Sequence, residues 1–225
     1  MPPSTPTAVL DFWFGAGAFG TDLMKDGRSA QMPLWWGMKP DFSGPADAST
    51  RAALDDQCRS FEPLIEAAGS SSLTSAEWQN PAGLYAQMLL TDQFPRNAFR
   101  GSERAFAYDA RAMQLANSLI QTKAYEDWDA VSYYTFLSTP AQHSEELADH
   151  QLIQTALAHM VAKIGDNTSA SMILSHANDH REVVERFGRY PHRNEVLGRT
   201  STDEELAWLA DTEKLPRWAK SQMKK

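Results

Sequence analysis

The first segment whose side chains could do chemistry spans residues 92–97 and reads Asp-Gln-Phe-Pro-Arg-Asn. Asp92 lies four residues after Met88, so in a helix its carboxylate extends an apolar stripe. A carboxylate on a buried face is destabilising unless it is paired, and Arg96 or Arg100 is the obvious counter-ion. Two interpretations stay open: an Asp–Arg clamp that holds a turn, or one polar wall of a binding pocket.

The second segment is His-Ser-Glu-Glu at residues 143–146, followed by Asp149. It falls at a predicted helix N-terminus, where backbone N–H groups and the helix dipole favour negative charge. Glu145 and Glu146 can therefore serve simply to complement that dipole. His143 precedes the predicted cap, so its ring can instead face a cleft and take part in acid–base chemistry.

The third segment contains His176, Asp179 and His180, with the two histidines four residues apart on one face of a predicted helix. The pattern is similar to the H-x-x-E-H motif of inverted zinc proteases. Aspartate has a shorter reach than glutamate, however, and no third ligand motif follows downstream. We therefore predict no bound metal and interpret the pair as histidines in solvent or at the edge of the core.

A basic cluster follows on a predicted tight turn around Gly188 and Pro191. Its members are Arg181, Arg186, Arg189, His192 and Arg193. Arginine binds carboxylates and phosphates through a bidentate fork, so the cluster can pair with Asp92, Glu145 and Asp149 or receive an anionic ligand. Internal pairing is favoured because the chain as a whole is acidic.

Two stretches repeat one order of residue types: aromatic, proline, basic and asparagine. They are residues 93–97 and residues 189–194, and each follows a predicted helix. We predict that the two stretches come together in space. Asn97 and Asn194 should then not lie at opposite ends of the molecule.

The composition predicts one globular domain. The 225 residues are 42% hydrophobic and 22% charged, which suffices for one sizeable core. A net charge of −8 repels phosphate backbones and argues against nucleic acid as a partner. The sequence has no apolar run long enough to predict a membrane span, and its N-terminal residues lack the features of a secretory signal. The single cysteine, Cys58, allows no intramolecular disulfide, so we expect a cytoplasmic protein.

Helical periodicity runs through the chain, without a convincing run of alternating β-branched residues. We predict an all-α fold, an antiparallel array of about eight helices. Residues 1–8 are predicted to be a disordered N-terminal tail, 9–212 a single helical domain and 213–225 a polar C-terminal tail. The Gly/Pro-rich segment 15–46 is predicted to be an irregular loop that packs Trp35 and Trp36 back onto the helices.

Capping and breaking residues predict where the helices begin and end. Asn80 before Pro81 predicts a helix start, and Pro95 predicts the end of that helix. In the first part of the chain we predict a short helix or turn over 8–14 before Gly15, a helix over 47–68 bent at Pro63, and a short helix or turn at Thr74 and Glu77. In the second part we predict helices from Asp109 to Ile120, from Asp129 to Leu137 before Pro140, from Ser144 to Ile164 before Gly165 and from Asn167 or Thr168 to Phe187 before Gly188. A Ser201–Glu204 capping box predicts the start of a last helix.

The order of these motifs along the chain resembles the DUF924 family. The segments that carry the resemblance are 9–14, 92–97, 104–107, 143–145, 180–181, 186–194 and 197–199. Together they span residues 9 to about 210, nearly the whole chain. The resemblance implies an all-α fold similar to that of tetratricopeptide-repeat proteins, but no activity, because the family's name records an unknown function.

The resemblance also implies a shared polar cluster. Its residues are Asp92, Arg96, Asn97, His143, Glu145, His180, Arg186, His192, Arg193 and Asn194. His176 is not part of the family pattern, which further disfavours a zinc protease. The Gly/Pro-rich segment 15–46 departs from the pattern and can reshape any pocket.

The first functional hypothesis is an enzyme or receptor for a small anionic molecule without a cofactor, because distant segments each supply polar side chains that can converge on one site. His143 or His180 would be the acid or base, oriented by Glu145 or Asp92. The candidate substrate-binding residues are Arg96, Asn97, Arg186, His192, Arg193 and Asn194.

The alternative is a tetratricopeptide-repeat-like module that binds a peptide or protein in a groove of stacked helices. In a third hypothesis the motifs serve only as interlocking turns of the array. Burial discriminates among them: a catalytic cluster should lie in a closed pocket with shifted histidine pKa values, whereas a peptide groove should be long and open.

Overall fold

A computed structural model describes residues 4–19, 29–41, 43–124, 126, 131–165 and 168–222. Within these ranges the fold is all-α, as predicted, with twelve α-helices, two short 3-10 helices and no β-strand. The α-helices are α1 Pro6–Phe14, α2 Met32–Trp36, α3 Ala48–Arg59, α4 Glu62–Gly69, α5 Ala76–Gln79, α6 Pro81–Ala98, α7 Asp109–Gln121, α8 Val131–His143, α9 Leu147–Ile164, α10 Thr168–Phe187, α11 Asp203–Ala210 and α12 Arg217–Gln222. The 3-10 helices are Glu103–Phe106 and Pro191–Arg193, and the helix count exceeds eight because several elements are short.

The central element is α6, which packs against α1, α3, α4, α5, α7 and α8. Every residue from Tyr85 to Arg96 is buried, so this helix is covered on all sides like a core helix. Phe94, in the C-terminal half of the helix, has its ring centroid 5.3 Å from that of Trp13 and 4.9 Å from that of Phe61. Polar side chains on α6 must therefore find partners inside the protein.

The prediction that helices end before Pro95 and Pro140 is wrong. Both prolines lie in the last turn of their helix, where a proline removes only its own N–H donor. The turn continues beyond each of them, with the N–H of Phe99 donating to the Pro95 carbonyl at 2.9 Å and that of Ser144 to the Pro140 carbonyl at 3.1 Å. The extensions keep Arg96 on α6, and they make His143 the last residue of α8.

The N-terminus of α9 also differs from its prediction. Ser144 is not the cap, because α9 begins at Leu147 with Glu146 in the N-cap position. The Ser144 hydroxyl instead accepts a hydrogen bond from the Glu146 N–H at 3.1 Å and donates to Asp149 at 2.5 Å. The three residues between α8 and α9 therefore form a turn of their own, from which Glu145 extends.

Several other predicted boundaries are confirmed and several shift. Asn80 caps α6 through the Gly83 N–H, and Gly165 and Gly188 follow α9 and α10. Residues 47–68 form two helices that meet at Phe61, whose side chain is buried. At α5 the N-cap is Ser75 rather than Thr74. The predicted helix start at Asp129 and the predicted cap at Asn167 lie outside the described residues.

Some residues assigned to the two predicted tails are helical. Thr5 caps α1 through the Ala8 N–H, so residues 6–8 are helical. At the other end the capping box is Thr202–Glu205, one residue beyond the predicted pair. The segment after it is not a frayed tail, because α12 follows with Leu215 and Ala219 buried. The helical domain therefore extends at least to residue 222.

The Gly/Pro-rich segment packs onto the helices where the structure describes it. The Trp35 indole N–H on α2 donates to the Trp13 carbonyl at 2.9 Å, and the Trp35 ring contacts Phe136 with centroids 5.1 Å apart. Gly37 ends α2 with a φ of +60°, a conformation that favours glycine.

Among the described helices, none combines the length and the apolar character that a membrane crossing requires.

Candidate functional site

A cavity of about 580 Å³ lies within the array. Its lining residues come from α2, α3, the C-terminal half of α6, α8, α10, α12 and the second 3-10 helix. The side chains facing the space are mixed, with tryptophan and methionine beside histidine and arginine. The cavity is the place where most of the predicted site residues meet.

His143, which lines the cavity, forms a buried polar pair with Asp92 behind it. Asp92 is 1% exposed on α6, and its Oδ1 lies 2.7 Å from Nδ1 of His143 at the end of α8. The other carboxylate oxygen accepts from the Thr139 hydroxyl at 2.8 Å and the Gln93 amide at 2.5 Å. Arg96 contributes a guanidinium nitrogen 3.3 Å from Oδ1. Both carboxylate oxygens are therefore held by donors.

The charges around the pair decide its protonation state. Burial alone would raise the pKa of Asp92, but His143 and Arg96 lower it well below its ordinary value, so Asp92 is a carboxylate. A carboxylate only accepts hydrogen bonds, so Nδ1 of His143 carries the proton and Nε2 keeps its lone pair. Burial and Arg96 together lower the pKa of His143, which leaves the ring neutral at pH 7.

Four histidines line the cavity: His143, His176, His180 and His192. His180 is buried, against the expectation of an imidazole in solvent or at the core edge, and its Nδ1 donates to the His176 carbonyl at 2.8 Å. Its ring stacks on Trp218 at 3.9 Å and lies 6.2 Å from the His143 ring. Burial lowers the pKa of all four, most strongly for His180 and His192.

The two repeated motifs meet through one carboxylate. Arg96 of the first motif binds both oxygens of Asp109 at 2.8 Å, and Arg193 of the second binds the same side chain at 3.2 Å. Arg193 also donates to the His143 carbonyl at 2.9 Å. The predicted convergence thus holds for the arginines, and the carboxylate that joins them is the first residue of α7.

The asparagines of the two motifs diverge. Asn97 lines the cavity and donates to the Leu34 carbonyl at 3.3 Å. Asn194 is buried outside the cavity lining, where it donates to Ser201 at 3.0 Å and to Glu205 at 3.3 Å. Only the first asparagine is placed where a ligand in the cavity can reach it.

Two predicted site residues lie elsewhere. Glu145 does not orient a histidine, because its carboxylate is bound by Arg199 at 2.7 and 2.9 Å and by the Tyr190 N–H at 2.8 Å. Arg186 pairs with Glu204 at 2.8 Å in an exposed position. The basic cluster was expected to pair with Asp92, Glu145 and Asp149, but Asp149 instead accepts from Ser144.

Three residues of the site were not predicted from the sequence. The sequence suggested only a helix start for Asp109. Two arginines near a buried site require a carboxylate partner, and this requirement could have pointed to Asp109. Trp218 lay in a segment assigned to a polar tail. Arg51 lines the cavity from α3, and no local pattern marks it in the sequence.

Neither a metal cluster nor a reactive thiol stands out in the described part of the chain. There, no group of three or more His, Cys, Asp and Glu side chains is arranged to hold a metal ion. Cys58 is fully buried, and burial together with Asp55 raises its pKa to about 12. The absence of bound metal stays a prediction for elemental analysis.

The fold and the site define a class: an all-α helical array that encloses a cavity lined by neutral histidines and arginines. The chain belongs to the family described as bacterial protein of unknown function (DUF924), whose model matches residues 9–213. A solved structure, the protein of unknown function ATU0120 from Agrobacterium tumefaciens, is similar to it with 29% sequence identity and a TM-score of 0.65. That similarity covers 92% of this chain and 97% of the other. Among curated proteins, none matches the chain.

Proposed function

We propose that this protein is an enzyme that binds a small anionic molecule in the cavity and converts it by acid–base chemistry. His143 is the proposed base, and Asp92 is the residue that positions it. The observation that carries the proposal is the 2.7 Å hydrogen bond between a buried carboxylate and Nδ1 of a neutral histidine, which leaves Nε2 for a substrate. Within the described residues Nε2 of His143 has no hydrogen-bond partner.

The pair has the features that proton transfer requires. A neutral imidazole with a free lone pair can take a proton, and the carboxylate behind it stabilises the imidazolium that forms. His180 has only a backbone carbonyl on its Nδ1, and its pKa lies well below the ordinary value. It therefore suits hydrogen bonding to a substrate better than proton uptake.

The substrate class follows from the arginines. Four arginines line the cavity: Arg51, Arg96, Arg100 and Arg193. Three of them are paired with the carboxylates of Asp55, Asp92 and Asp109, so one positive charge is left to favour an anionic group. The cavity volume of about 580 Å³ lies in the range of small-molecule sites. A peptide groove would be longer and more open, so the tetratricopeptide-repeat-like binding module is the less favoured function, although a fold of that type remains our proposal for the array. We also propose a cytoplasmic location, since the single cysteine gives no disulfide.

The test uses an unbiased substrate source. Purified protein is incubated with a small-molecule extract of bacterial cells, and mass spectrometry follows which acids disappear. We expect the native protein to consume at least one small acid, and His143→Gln to slow that consumption by about 10²–10⁴-fold, the usual contribution of a general base. Asp92→Asn should slow it as well, because it removes the charge that stabilises the imidazolium.

Arg186→Gln is the control, because it removes one positive charge at an exposed site outside the cavity. It should consume the same acids at the native rate. Equal consumption by the native protein and by His143→Gln would refute the proposed role of the histidine. If the native protein consumed nothing and instead retained a peptide in native mass spectrometry, the binding-module hypothesis would replace the enzyme.

A further inference from the structure

The arginines that line the cavity differ in how their charges are neutralised. Arg96 and Arg193 share Asp109, and Arg96 also lies beside Asp92. Arg100 binds both oxygens of Asp55 at 3.1 Å. These guanidinium groups are parts of the wall, and each has a carboxylate partner.

Arg51 is the exception. It is half-buried in the first turn of α3, and among the described residues it makes no hydrogen bond and no ion pair. Asp55, one helical turn away, has both of its oxygens engaged by Arg100. Burial and the neighbouring Arg100 lower the pKa of Arg51, while Asp55 acts in the opposite direction. A half-buried cation without a partner is unfavourable, and an anion in the cavity would relieve that cost.

The position of Arg51 is set by a glycine. Its guanidinium lies directly against Gly37, so that a Cβ built on Gly37 would come within 1.6 Å of Nη1. Gly37 also has the positive φ that ends α2. The close approach holds the guanidinium beside the end of α2, and both Arg51 and His143 line the same cavity.

The surroundings of Arg51 are largely apolar. Trp36, Met38, Pro45, Ile173 and Trp218 line the same cavity. A ligand held here would place a charged end on Arg51 and an apolar body against these side chains. A single unpartnered arginine can neutralise one negative charge. A carboxylate carries one such charge and a phosphate dianion carries two, so the carboxylate is the better fit.

We infer that Arg51 is the residue that binds the anionic end of the ligand, and that the ligand is a small carboxylic acid with an apolar body. The inference rests on the proposed small-molecule site and adds the chemical class of its ligand. Arg51 acts as a binding residue and takes no part in proton transfer. Asp179 is exposed and also lines the cavity, and its negative charge disfavours a second anionic group on the ligand.

The test measures dissociation constants by tryptophan fluorescence for straight-chain acids from acetate to octanoate and for phenylacetate. Their neutral amides and inorganic phosphate serve as comparison ligands. We expect at least one acid to bind the native protein about 10- to 100-fold more tightly than its amide, as a charge-assisted hydrogen bond implies. Arg51→Gln should lose this preference, and Arg51→Lys should keep part of it, because lysine retains the charge but not the fork.

Arg186→Gln is the matched control, since it removes the same charge outside the cavity, and it should bind like the native protein. The inference is overturned if Arg51→Gln binds the acids as the native protein does, if no acid binds better than its amide, or if phosphate binds better than every acid. The result of this binding test does not depend on the result of the His143 test. Loss of acid binding in Arg51→Gln with unimpaired turnover in His143→Gln would leave this inference standing and refute the proposed base.

Discussion

Two polar regions of this protein contain the same residue types and use them differently. Around the cavity, the imidazoles of His143 and His180 each use Nδ1 for a hydrogen bond inside the protein. The second region consists of Glu145, Glu204 and Glu205 with Arg186, Arg189 and Arg199, and its carboxylates are bound by arginines and, at Glu145 and Glu205, also by backbone N–H groups. The first region keeps ring nitrogens for a ligand, whereas the second uses its polar atoms to hold turns together.

The difference follows from where the backbone places each group. His143 ends α8 beside a fully buried helix, so its ring is neutral and its partner carboxylate is fixed. Glu145 lies two residues further on, in the turn before α9, where it reaches the backbone of Tyr190. Two nearby residues of one motif thus belong to different regions: His143 to the cavity, and Glu145 to the second region, which we call the latch. The comparison predicts that the latch affects stability and the cavity affects function.

The largest effect on stability is expected at the junction of the two regions. Arg193→Ala removes the hydrogen bond to the His143 carbonyl, one of the partners of Asp109, and the packing of the guanidinium on Phe106 and Tyr190. Breaking a buried ion pair costs about 3–5 kcal/mol, and we expect a loss of that size in the free energy of unfolding. Urea denaturation at neutral pH measures it. A loss below about 1 kcal/mol would mark Arg193 as a ligand-binding group instead of a scaffold residue.

Acid should destabilise the protein through the cavity. The pKa values of His180 and His192 lie well below 6.5 in the folded state because both rings are buried. The unfolded chain therefore binds protons first, so stability is fully present above pH 6.5 and is lost as the pH falls. Between pH 7.5 and 5.5 we therefore expect the free energy of unfolding to fall steadily, with His180 and His192 contributing the largest part of the loss.

His143 and His176 should add to this loss in the same direction, because burial lowers their pKa values too. Urea titrations at several pH values give the slope. His180→Phe retains an aromatic ring for Trp218 but cannot titrate, so its slope should be smaller than that of the native protein. Stability that stays constant between pH 7.5 and 5.5 would show that the rings are accessible to protons in the folded state.

His143 and Glu145, two residues apart in one motif, should show the difference between the two regions most clearly. Glu145→Gln weakens a bidentate pair that is about three-quarters buried, and we expect a loss of about 2 kcal/mol, between the values for exposed and buried pairs. His143→Gln retains a donor for Asp92 and should lose less than about 1 kcal/mol. Both are measured by urea denaturation. A reversed order would mean that His143 is the structural residue.

The smallest effect is expected at the exposed edge of the latch. Arg186 and Glu204 are paired at 2.8 Å, but their side chains are 52% and 62% exposed. Surface pairs of this kind contribute at most about 1 kcal/mol, so Arg186→Ala should be nearly neutral in the same titration. A loss as large as that of Arg193→Ala would show that the latch is cooperative and that single pairs cannot be separated.

The sequence predicted the all-α class because helical periodicity and caps such as Asn80 act locally. It misplaced the helix ends at Pro95 and Pro140, since a proline in the last turn removes a single donor and the following residues can still complete the turn. It also assigned α12 to a tail, because the apolar contact of Trp218 with His180 is formed by residues far apart in the chain.

The site was predictable to the extent that its residues were of rare types in distinctive motifs. Asp92, His143 and Arg193 stood out in this way, and the structure places all of them at or beside the cavity. Asp109 and Arg51 did not, because their roles depend on long-range neighbours: Asp109 on two arginines from separate motifs, and Arg51 on the backbone of Gly37. Glu145 was misassigned since adjacency to His143 in sequence does not imply contact.

Nitrogen NMR of the histidine side chains reports which ring nitrogen carries a proton and at what pH the ring becomes charged, so it tests directly whether His143 is a neutral base held by Asp92. At pH 7 we expect a neutral His143 ring with its proton on Nδ1 and a pKa below 6.5. A proton on Nε2, or an imidazolium at pH 7, would contradict the claim that this histidine is poised to accept a proton from a ligand.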